Sequence, residues 1–321
     1  MIVEIMSEYA RPNGPGASVL VMQDDSILFS RAYGMADITT GERLTTEHNF
    51  RLASVTKQFS ALSILMLSEA GRLSLEDSIT RFFPDFPEYG RGIRVKHLLT
   101  HTSGLVDYED LIPDTVTVQV HDIDCLQLMQ KTDSLYFAPG SQYRYSNTGY
   151  ALLALITERV TGARFADVLR DSIFQPLGMR TTVAFEEGIS SVHHRAYGHS
   201  KLGDGWAKTD QSLTSAVLGD GGIYSNPAEL ATWISSLWHH RLISDSLQQK
   251  AWSRALLNDG TSIDYGYGWH LDGGHPHHDG STKGFRNHIL VYPDKRMMVV
   301  VLTNRDEGKP RELADQIAQL F

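Results

Sequence analysis

The chain has 321 residues, of which 41% are hydrophobic, enough to bury a core without a disulfide or a structural metal. Its formal net charge of -9 and sequence pI near 5.8 argue against a general nucleic-acid or anionic-membrane surface, because both need clustered Lys and Arg. The single cysteine, Cys125, excludes an internal disulfide and is expected to be a small buried apolar residue. We therefore expect a small molecule as the partner.

The first residues, MIVEIMSEYARPNG, lack the basic leader, the long apolar core and the small-residue cleavage site of a secretory signal. No apolar run in the sequence is long enough to cross a bilayer. The sequence as printed therefore predicts a cytoplasmic protein, or a periplasmic or secreted one if a leader has been removed. These features predict no oligomeric state.

Two pairs of runs rich in β-branched residues lie near the two ends of the chain. Residues 17–23 and 26–34 flank an Asp-Asp pair, and residues 287–293 and 296–304 flank an Asp-Lys pair. Each pair of runs predicts a two-stranded hairpin. Because a lone hairpin is only marginally stable, we expect both to join one antiparallel sheet, against which a C-terminal helix at 311–320 packs.

The middle of the chain has helical periodicity instead. Three segments carry apolar side chains at helical spacing and are separated by Gly or Pro, namely 62–71, 148–162 and 228–240. The sequence therefore predicts an α/β fold in which an antiparallel sheet is flanked by helices. We expect the sheet part at 1–74 and 206–321, with an inserted helix-rich part at 75–205.

Ser54 and Lys57 form a Ser-x-x-Lys motif at the start of a predicted helix that ends at Gly71. Residues three apart share a helix face, so the Lys57 amine can reach the Ser54 hydroxyl. Burial and the positive end of the helix dipole would both lower the pKa of this lysine and let it act as a base. By itself the motif is weak, because about one match is expected by chance and its ordinary interpretation is an N-cap beside an exposed lysine.

Further motifs follow along the chain in a fixed order. They are RLASVTKQFSALSILML (51–67), HLLTHTSGL (97–105), FAPGSQYRYSNTGYALLALITERVTG (137–162), PLGM (176–179), GDGGIYSNPAEL (219–230) and HDGSTKGF (278–285). This series resembles the serine β-lactamase and penicillin-binding protein family, and it implies the serine β-lactamase/transpeptidase-like fold. The Tyr-x-Asn and His-x-Gly elements resemble the subgroup of class C β-lactamases, D-alanyl-D-alanine carboxypeptidases, D-aminopeptidases and family VIII esterases. They depart from the Ser-Asp-Asn and Lys-Thr-Gly elements of class A enzymes.

The second element of the resemblance is Tyr145-Ser146-Asn147. The resemblance implies that Tyr145 relays the Ser54 proton to the leaving group and later activates water. The ordinary pKa of a phenol is about 10, so lowering it would require Lys57 or another cation beside it. Asn147 is expected to hold the Lys57 amine or the substrate amide.

Two other segments look like catalytic candidates and are expected to be structural. Residues 224–226 repeat Tyr-Ser-Asn, but Asn226 directly precedes Pro227 at the head of a helical segment, which predicts a helix N-cap. His101 and Ser103 have no Gly-x-Ser-x-Gly context, and their segment resembles the family's structural block between domains.

The third element places His278, Gly280 and Ser281 on the strand at the edge of the cleft. A glycine there lets the substrate approach closely, and the backbone N–H groups of Ser281 and Ser54 would form the oxyanion hole. A histidine in place of lysine attracts a substrate carboxylate less, because an imidazole with an ordinary pKa near 6.5 is mostly neutral at pH 7.

The histidine-rich run at 275–278 also permits a zinc interpretation. No carboxylate or Cys at a recognised ligand spacing completes such a site in the sequence. We therefore expect solvent-exposed histidines with one member in the active site, and no metal or cofactor.

These motifs predict a serine hydrolase that forms an acyl-enzyme on Ser54 and hydrolyses it with water. The substrate would be an ester, amide or lactam, with esterase or D-peptidase activity favoured and weak β-lactamase activity. The alternative is a non-catalytic family member that binds a ligand or acts as a scaffold. Such a protein would have no need of Ser54, Lys57 and Tyr145 together.

Overall fold

The structure, a computed structural model, describes residues 1–11 and 13–321. The α-helices are α1 (Ile2–Ile5), α2 (Lys57–Glu69), α3 (Val95–Leu99), α4 (Asp122–Lys131), α5 (Asn147–Thr161), α6 (Phe165–Leu169), α7 (Gln175–Leu177), α8 (Leu218–Gly221), α9 (Pro227–Trp238), α10 (Asp245–Ala251) and α11 (Pro310–Ala318). The strands are β1 (Ala17–Gln23), β2 (Ser26–Tyr33), β3 (Met35–Asp37), β4 (Glu42–Arg43), β5 (Phe50–Arg51), β6 (Val183–Ala184), β7 (His199–Leu202), β8 (Gly205–Lys208), β9 (Ile223–Ser225), β10 (His277–Thr282), β11 (Phe285–Tyr292) and β12 (Met297–Thr303). No helix within these described residues is long and apolar enough to cross a membrane.

The largest sheet is antiparallel and has five strands in the order β10-β11-β12-β1-β2. Its strands come from both ends of the chain, so the two predicted hairpins join one sheet and the predicted α/β fold is confirmed. In the first hairpin, Asp24 and Asp25 have φ values of 46° and 62°. A two-residue hairpin turn needs this left-handed pair, which Asp adopts more readily than most residues.

Helices cover both faces of this sheet, so its central strands are buried on both sides. Val19 and Val21 of β1 pack in the cluster that contains α11, whereas Leu20 and Met22 belong to the larger core that contains α2 and α9. Alternate residues of a strand point to opposite faces, so a strand between two helical layers is apolar along its whole length.

Helix α5 is the centre of the helical layer. Its residues from Thr148 to Thr157 are all buried, and it contacts α2, α4 and α8. Cys125, on α4, is fully buried, as expected of a small apolar residue. The larger core includes residues of α2, α5 and the sheet, so α2 is held between the two layers. The division of the chain near residues 74 and 206 stays a prediction.

The turn before α2 differs from the expected α-helix. Residues Ala53–Thr56 form a 3-10 turn, and the α-helix begins at Lys57. In a 3-10 turn, residues three apart are nearly eclipsed, which brings the side chain of Ser54 beside that of Lys57. Ala53 has a φ of 50°, a left-handed conformation that costs a non-glycine residue about 1–3 kcal/mol and is often found at functional sites.

Asn287 of β11 fastens this turn to the sheet. Its Nδ2 donates to the Arg51 carbonyl at 2.8 Å, and its Oδ1 accepts from the Thr303 N–H at 3.2 Å. The side chain is buried, so no water can replace either bond. Strand β5, which leads directly into the Ser54 turn, is thereby held against β11 and β12.

We expect Asn287→Ala to lower the free energy of unfolding by about 2 kcal/mol, because it leaves a buried carbonyl and a buried N–H without partners. Urea denaturation of the variant and the parent measures this difference. The control is Asn258→Ala, which removes an exposed amide that bonds the Pro139 carbonyl. Equal losses in the two variants would contradict the role given to Asn287.

Candidate active site

The Lys57 amine lies at the centre of a closely packed polar site. Its Nζ is 2.9 Å from Ser54 Oγ, 2.8 Å from Asn147 Oδ1 and 3.0 Å from the Asp220 carbonyl oxygen. Lys57 is fully buried, whereas Ser54 is partly exposed. The three acceptors match the three N–H bonds of an ammonium group, and the hydroxyl among them can be reached from solvent.

Burial lowers the pKa of Lys57 to about 8, although the carboxylates of Asp220, Asp107 and Glu109 oppose this change. An amine with that pKa is deprotonated in roughly one molecule in ten at pH 7. Lys57 can therefore accept the Ser54 proton at a pH where an exposed lysine would be almost wholly charged.

The Tyr145 phenol lies beside the same hydroxyl, with the Lys57 amine 5.0 Å from its ring centre. Burial raises the pKa of Tyr145 above its ordinary value, and a hydrogen bond with Ser54 opposes that rise only in part. The lowering that a neighbouring lysine would produce is therefore not found, because the loss of water around the phenol outweighs it. Tyr145 stays protonated at neutral pH and can donate a proton, while Lys57 is the easier base.

Tyr145 belongs to a cluster of packed rings, the aromatic wall, which we define as Tyr145, Tyr150, Tyr265, His101 and His278. The His101 ring centre is 4.1 Å from that of Tyr145 and 4.5 Å from that of Tyr265. The Nδ1 of His101 accepts from the Ser146 N–H at 3.1 Å. The segment expected to be structural therefore touches the site, where His101 packs against the phenol.

His278 is a buried member of this wall. Its Nδ1 is 2.7 Å from the Asp279 carbonyl oxygen and must donate to it, so its Nε2 accepts from the Tyr265 hydroxyl at 2.9 Å. Burial lowers the pKa of His278 well below its usual range. The imidazole is neutral, as expected, but both of its nitrogens are already bonded within the protein.

The predicted substrate-binding residues occupy two positions in the site. Asn147 and Ser281 line the cleft at Ser54, whereas His278 and Gly280 lie behind it. A side chain at Gly280 would clash with the Leu52 carbonyl oxygen, so the close approach that needs a glycine is that of the protein backbone. The expectation of exposed histidines is wrong, because His277 and His278 are buried between the strand and its neighbours.

The second Tyr-Ser-Asn segment is structural, as predicted. The Asn226 side chain accepts from the Glu229 N–H, and Pro227 is the first residue of α9. The Tyr224 hydroxyl accepts hydrogen bonds from Arg195 and Gln211 rather than bonding Ser54 or Lys57.

Known proteins resemble this chain over nearly its whole length. The beta-lactamase family model matches residues 4–320. Penicillin-binding protein 4* of Bacillus subtilis (strain 168) is 34% identical over 98% of this chain and 72% of its own length. This chain belongs to the beta-lactamase family. It is a hydrolase of the serine β-lactamase and penicillin-binding type.

Two solved structures share the fold of this beta-lactamase family member. A penicillin-binding protein from Bacillus halodurans is 29% identical, with a TM-score of 0.85 over 100% of this chain and 99% of that one. A D-amino acid amidase from Ochrobactrum anthropi SV3, solved with L-phenylalanine amide, is 23% identical, with a TM-score of 0.83 over 99% and 97% of the two chains. At that lower identity the likeness shows the fold alone.

Two acidic residues of the site were missed by the sequence analysis. Asp220 is buried beneath Lys57, where burial raises its pKa and the Tyr108 hydroxyl donates to its Oδ2 at 2.8 Å. Glu109 accepts from Asn147 Nδ2 at 3.0 Å. Asp220 lies inside the GDGGIYSNPAEL block at 219–230 but belongs to none of the three catalytic elements, and Glu109 belongs to no motif.

The cleft at Ser54 is small, about 40 Å³, and its lining includes Arg51, Glu109 and Thr214. A larger cavity of about 590 Å³ lies elsewhere, beside Arg164 and Thr181. Size alone would favour that cavity, but the nucleophile and its amine lie at the smaller cleft, so chemistry locates the active site there.

We expect kcat/KM for p-nitrophenyl butyrate to rise with pH and level off above about pH 8, because the Lys57 amine must be neutral to accept a proton.

Asp220→Asn removes a carboxylate that raises the pKa of Lys57, so the acidic limb of this profile should move to lower pH. A pH–rate profile of the parent and of the variant measures the pH of the plateau and the position of the acidic limb. The control is Asp264→Asn, an exposed carboxylate paired with Arg254. An unchanged or more alkaline limb in Asp220→Asn would contradict this electrostatic role.

Proposed function

We propose that this protein hydrolyses small esters and amides through an acyl-enzyme on Ser54. The observation that carries the proposal is the contact of a buried amine of lowered pKa with a solvent-reachable hydroxyl, Lys57 Nζ to Ser54 Oγ at 2.9 Å. A hydroxyl is a weak nucleophile until a neighbouring base takes its proton. A buried lysine whose only purpose was packing would be costly to keep.

In the first half of the reaction, Lys57 takes the Ser54 proton as Oγ attacks the acyl carbon. The protonated Tyr145 phenol then passes a proton to the leaving group and recovers one from Lys57, so that the acyl group remains on Ser54. In the second half, water attacks the acyl carbon on Ser54 and gives its proton to the same pair of residues. The bond from that carbon to Ser54 Oγ then breaks, Oγ regains a proton, and the carboxylic acid leaves. The Ser54 and Ser281 backbone N–H groups are proposed as the oxyanion donors, because both residues line the cleft.

We expect Ser54→Ala to lower ester turnover by several orders of magnitude while leaving the fold intact. Lys57→Ala and Tyr145→Phe should be nearly as damaging, and the combined loss should be far from additive because the groups act as one unit. The matched control is Ser103→Ala, whose hydroxyl accepts from the Leu105 N–H instead. Steady-state rates and circular dichroism measure activity and fold.

A fluorophosphonate probe distinguishes this enzyme from a non-catalytic scaffold with the same fold. The parent should form a covalent adduct on Ser54, found by peptide mass spectrometry and absent in Ser54→Ala. Activity of Ser54→Ala within tenfold of the parent, or a parent that forms no adduct, would contradict the assignment of Ser54 as the nucleophile.

The charges around the cleft favour uncharged or amine-bearing substrates. Among the described residues that line it, Arg51 is the one cation, and it already donates to the Ser215 carbonyl and Gln211 Oε1. Glu109 reaches solvent at the mouth of the cleft. Burial and the neighbouring Asp107 raise the pKa of Glu109, although the hydrogen bond from Asn147 and the charge of Lys57 oppose this rise. Among the described residues that line the cleft, none offers an unpaired cation to a substrate carboxylate. The Glu109 carboxylate, in contrast, can bond a substrate ammonium.

A D-amino-acyl amide or ester is therefore the second candidate substrate class beside simple esters. Its α-ammonium can bond the Glu109 carboxylate while its acyl carbon lies at Ser54. A β-lactam carries the opposite charge and should be cleaved slowly. The stereochemical preference comes from the family resemblance to D-aminopeptidases and carboxypeptidases.

We expect Glu109→Gln to reduce kcat/KM for D-phenylalanine p-nitroanilide about tenfold or more, because a hydrogen bond between charged groups becomes one to a neutral amide. Above pH 8, where Lys57 is mostly neutral with or without the Glu109 charge, turnover of p-nitrophenyl acetate and butyrate should change little, and nitrocefin should remain a poor substrate. The control is Glu47→Gln, an exposed carboxylate at the surface. Efficient nitrocefin hydrolysis beside negligible hydrolysis of both esters would refute this order.

A further inference from the structure

A cluster of metal-binding side chains lies on the far side of strand β10 from Tyr145. His277 and Asp279 stand two residues apart on β10, so they share a face of the strand. His288 lies directly opposite Asp279 on β11. One possible donor atom from each of the three residues lies within 4.8 Å of the other two.

Each imidazole in this cluster has one nitrogen bonded to a carboxylate. His277 Nε2 is 2.8 Å from Asp272 Oδ1, and His288 Nδ1 is 2.8 Å from Asp279 Oδ1. An ionised carboxylate can only accept, so these two nitrogens carry the hydrogens. In the neutral rings, His277 Nδ1 and His288 Nε2 are therefore lone pairs.

Those two lone pairs have no hydrogen-bond partner among the described residues, although His277 and His288 are only 2% and 1% exposed. Buried polar atoms are nearly always satisfied, so a pair of unsatisfied acceptors needs an explanation. Histidines that bind metals characteristically donate their other N–H to a carboxylate, as both of these do.

We propose that His277 Nδ1 and His288 Nε2 bind a divalent transition-metal ion of the zinc type, while the Asp272 and Asp279 carboxylates accept from the opposite nitrogen of each ring. The two ring centres are 5.4 Å apart. Zn–N bonds of about 2 Å place the ring centres of two ligands roughly 5 Å apart in a tetrahedral site. Two imidazole nitrogens suit zinc, whereas calcium and magnesium prefer oxygen ligands alone.

The surroundings admit a cation. A cavity of about 170 Å³ adjoins both histidines, and its lining includes Asp272, Asp315 and Arg311. Arg311 donates to Asp272 at 2.7 Å and lies 3.7 Å from Asp279 Oδ2. Three carboxylates around the site outnumber this one guanidinium, which is 45% exposed and can turn away into solvent.

The site is separate from the Ser54 cleft, because neither histidine lines that cleft or bonds Lys57. A bound ion would cross-link β10 to β11 and stabilise the edge strand. The sequence alone lacked a carboxylate at a recognised ligand spacing. The sheet supplies by register the carboxylate that orients His288, since Asp279 faces this histidine from nine residues away in sequence.

The test uses the full chain, stripped with EDTA and desalted. Titration with ZnCl₂ in a calorimeter should show a single saturable equivalent, and zinc should raise the Tm by several degrees. Co²⁺ in place of zinc should give the visible bands of a tetrahedral ion. His277→Gln and His288→Gln should each weaken binding at least tenfold.

The matched control is His48→Gln. His48 is also a buried histidine beside a carboxylate, but its nitrogens are engaged by Thr45 and Glu42, so zinc binding should be retained. Absence of saturable zinc binding, or binding that survives in the His277→Gln and His288→Gln double variant, would overturn the proposal. Ester turnover by each variant reports whether it is folded.

A gain-of-binding variant keeps the proposal testable should the histidine variants fail to fold. Arg311→Gln removes the competing cation and should bind zinc several-fold more tightly than the parent. Equal or weaker binding by this variant would count against the assignment of the ion to this cavity.

Discussion

The buried amine of Lys57 is the interaction on which the rest of the site depends. Removing a charged or polar amine from water is costly unless each of its N–H bonds finds an acceptor. The acceptors come from three places, the Ser54 turn, the first residue of α5 and the Asp220 carbonyl in α8. Helices α2, α5 and α8 must therefore meet at one point, and the packing that satisfies the amine also places the nucleophile.

The same burial sets the electrostatics of the chemistry. Burial alone would leave Lys57 with a still lower pKa, and the nearby carboxylates, of which Asp220 has the largest effect, bring it back to about 8. Tyr145 has no comparable compensation and stays a neutral phenol. One site thus holds a group that can accept a proton near neutral pH and a neighbour that can donate one, a division of roles that follows from environment rather than from residue type.

Strand β10 connects the two proposed sites. On one side Gly280 lies so close to the Leu52 carbonyl that no side chain fits, and this contact sets the distance between the strand and the Ser54 turn. On the other side His277 and Asp279 take part in the histidine and carboxylate cluster. Strand β10 is at the edge of the five-stranded sheet, and on its outer side the backbone of His277 pairs with that of His270, so contacts at its faces add to a short set of backbone bonds.

Sequence by itself determined the elements and the motif series. The hairpins around Asp24-Asp25 and at 287–304, the helix after Ser54, and the pairing of Ser54 with Lys57 all depend on residues within a few positions of one another, and such local patterns can be read directly. Only the tertiary structure decided which groups lose their water. Lys57 meets Asn147 across 90 positions and Asp220 across 163, and no local pattern reports contacts of that length. Burial, and with it the pKa of each group and the free lone pairs of the histidines, is a property of the assembled layers.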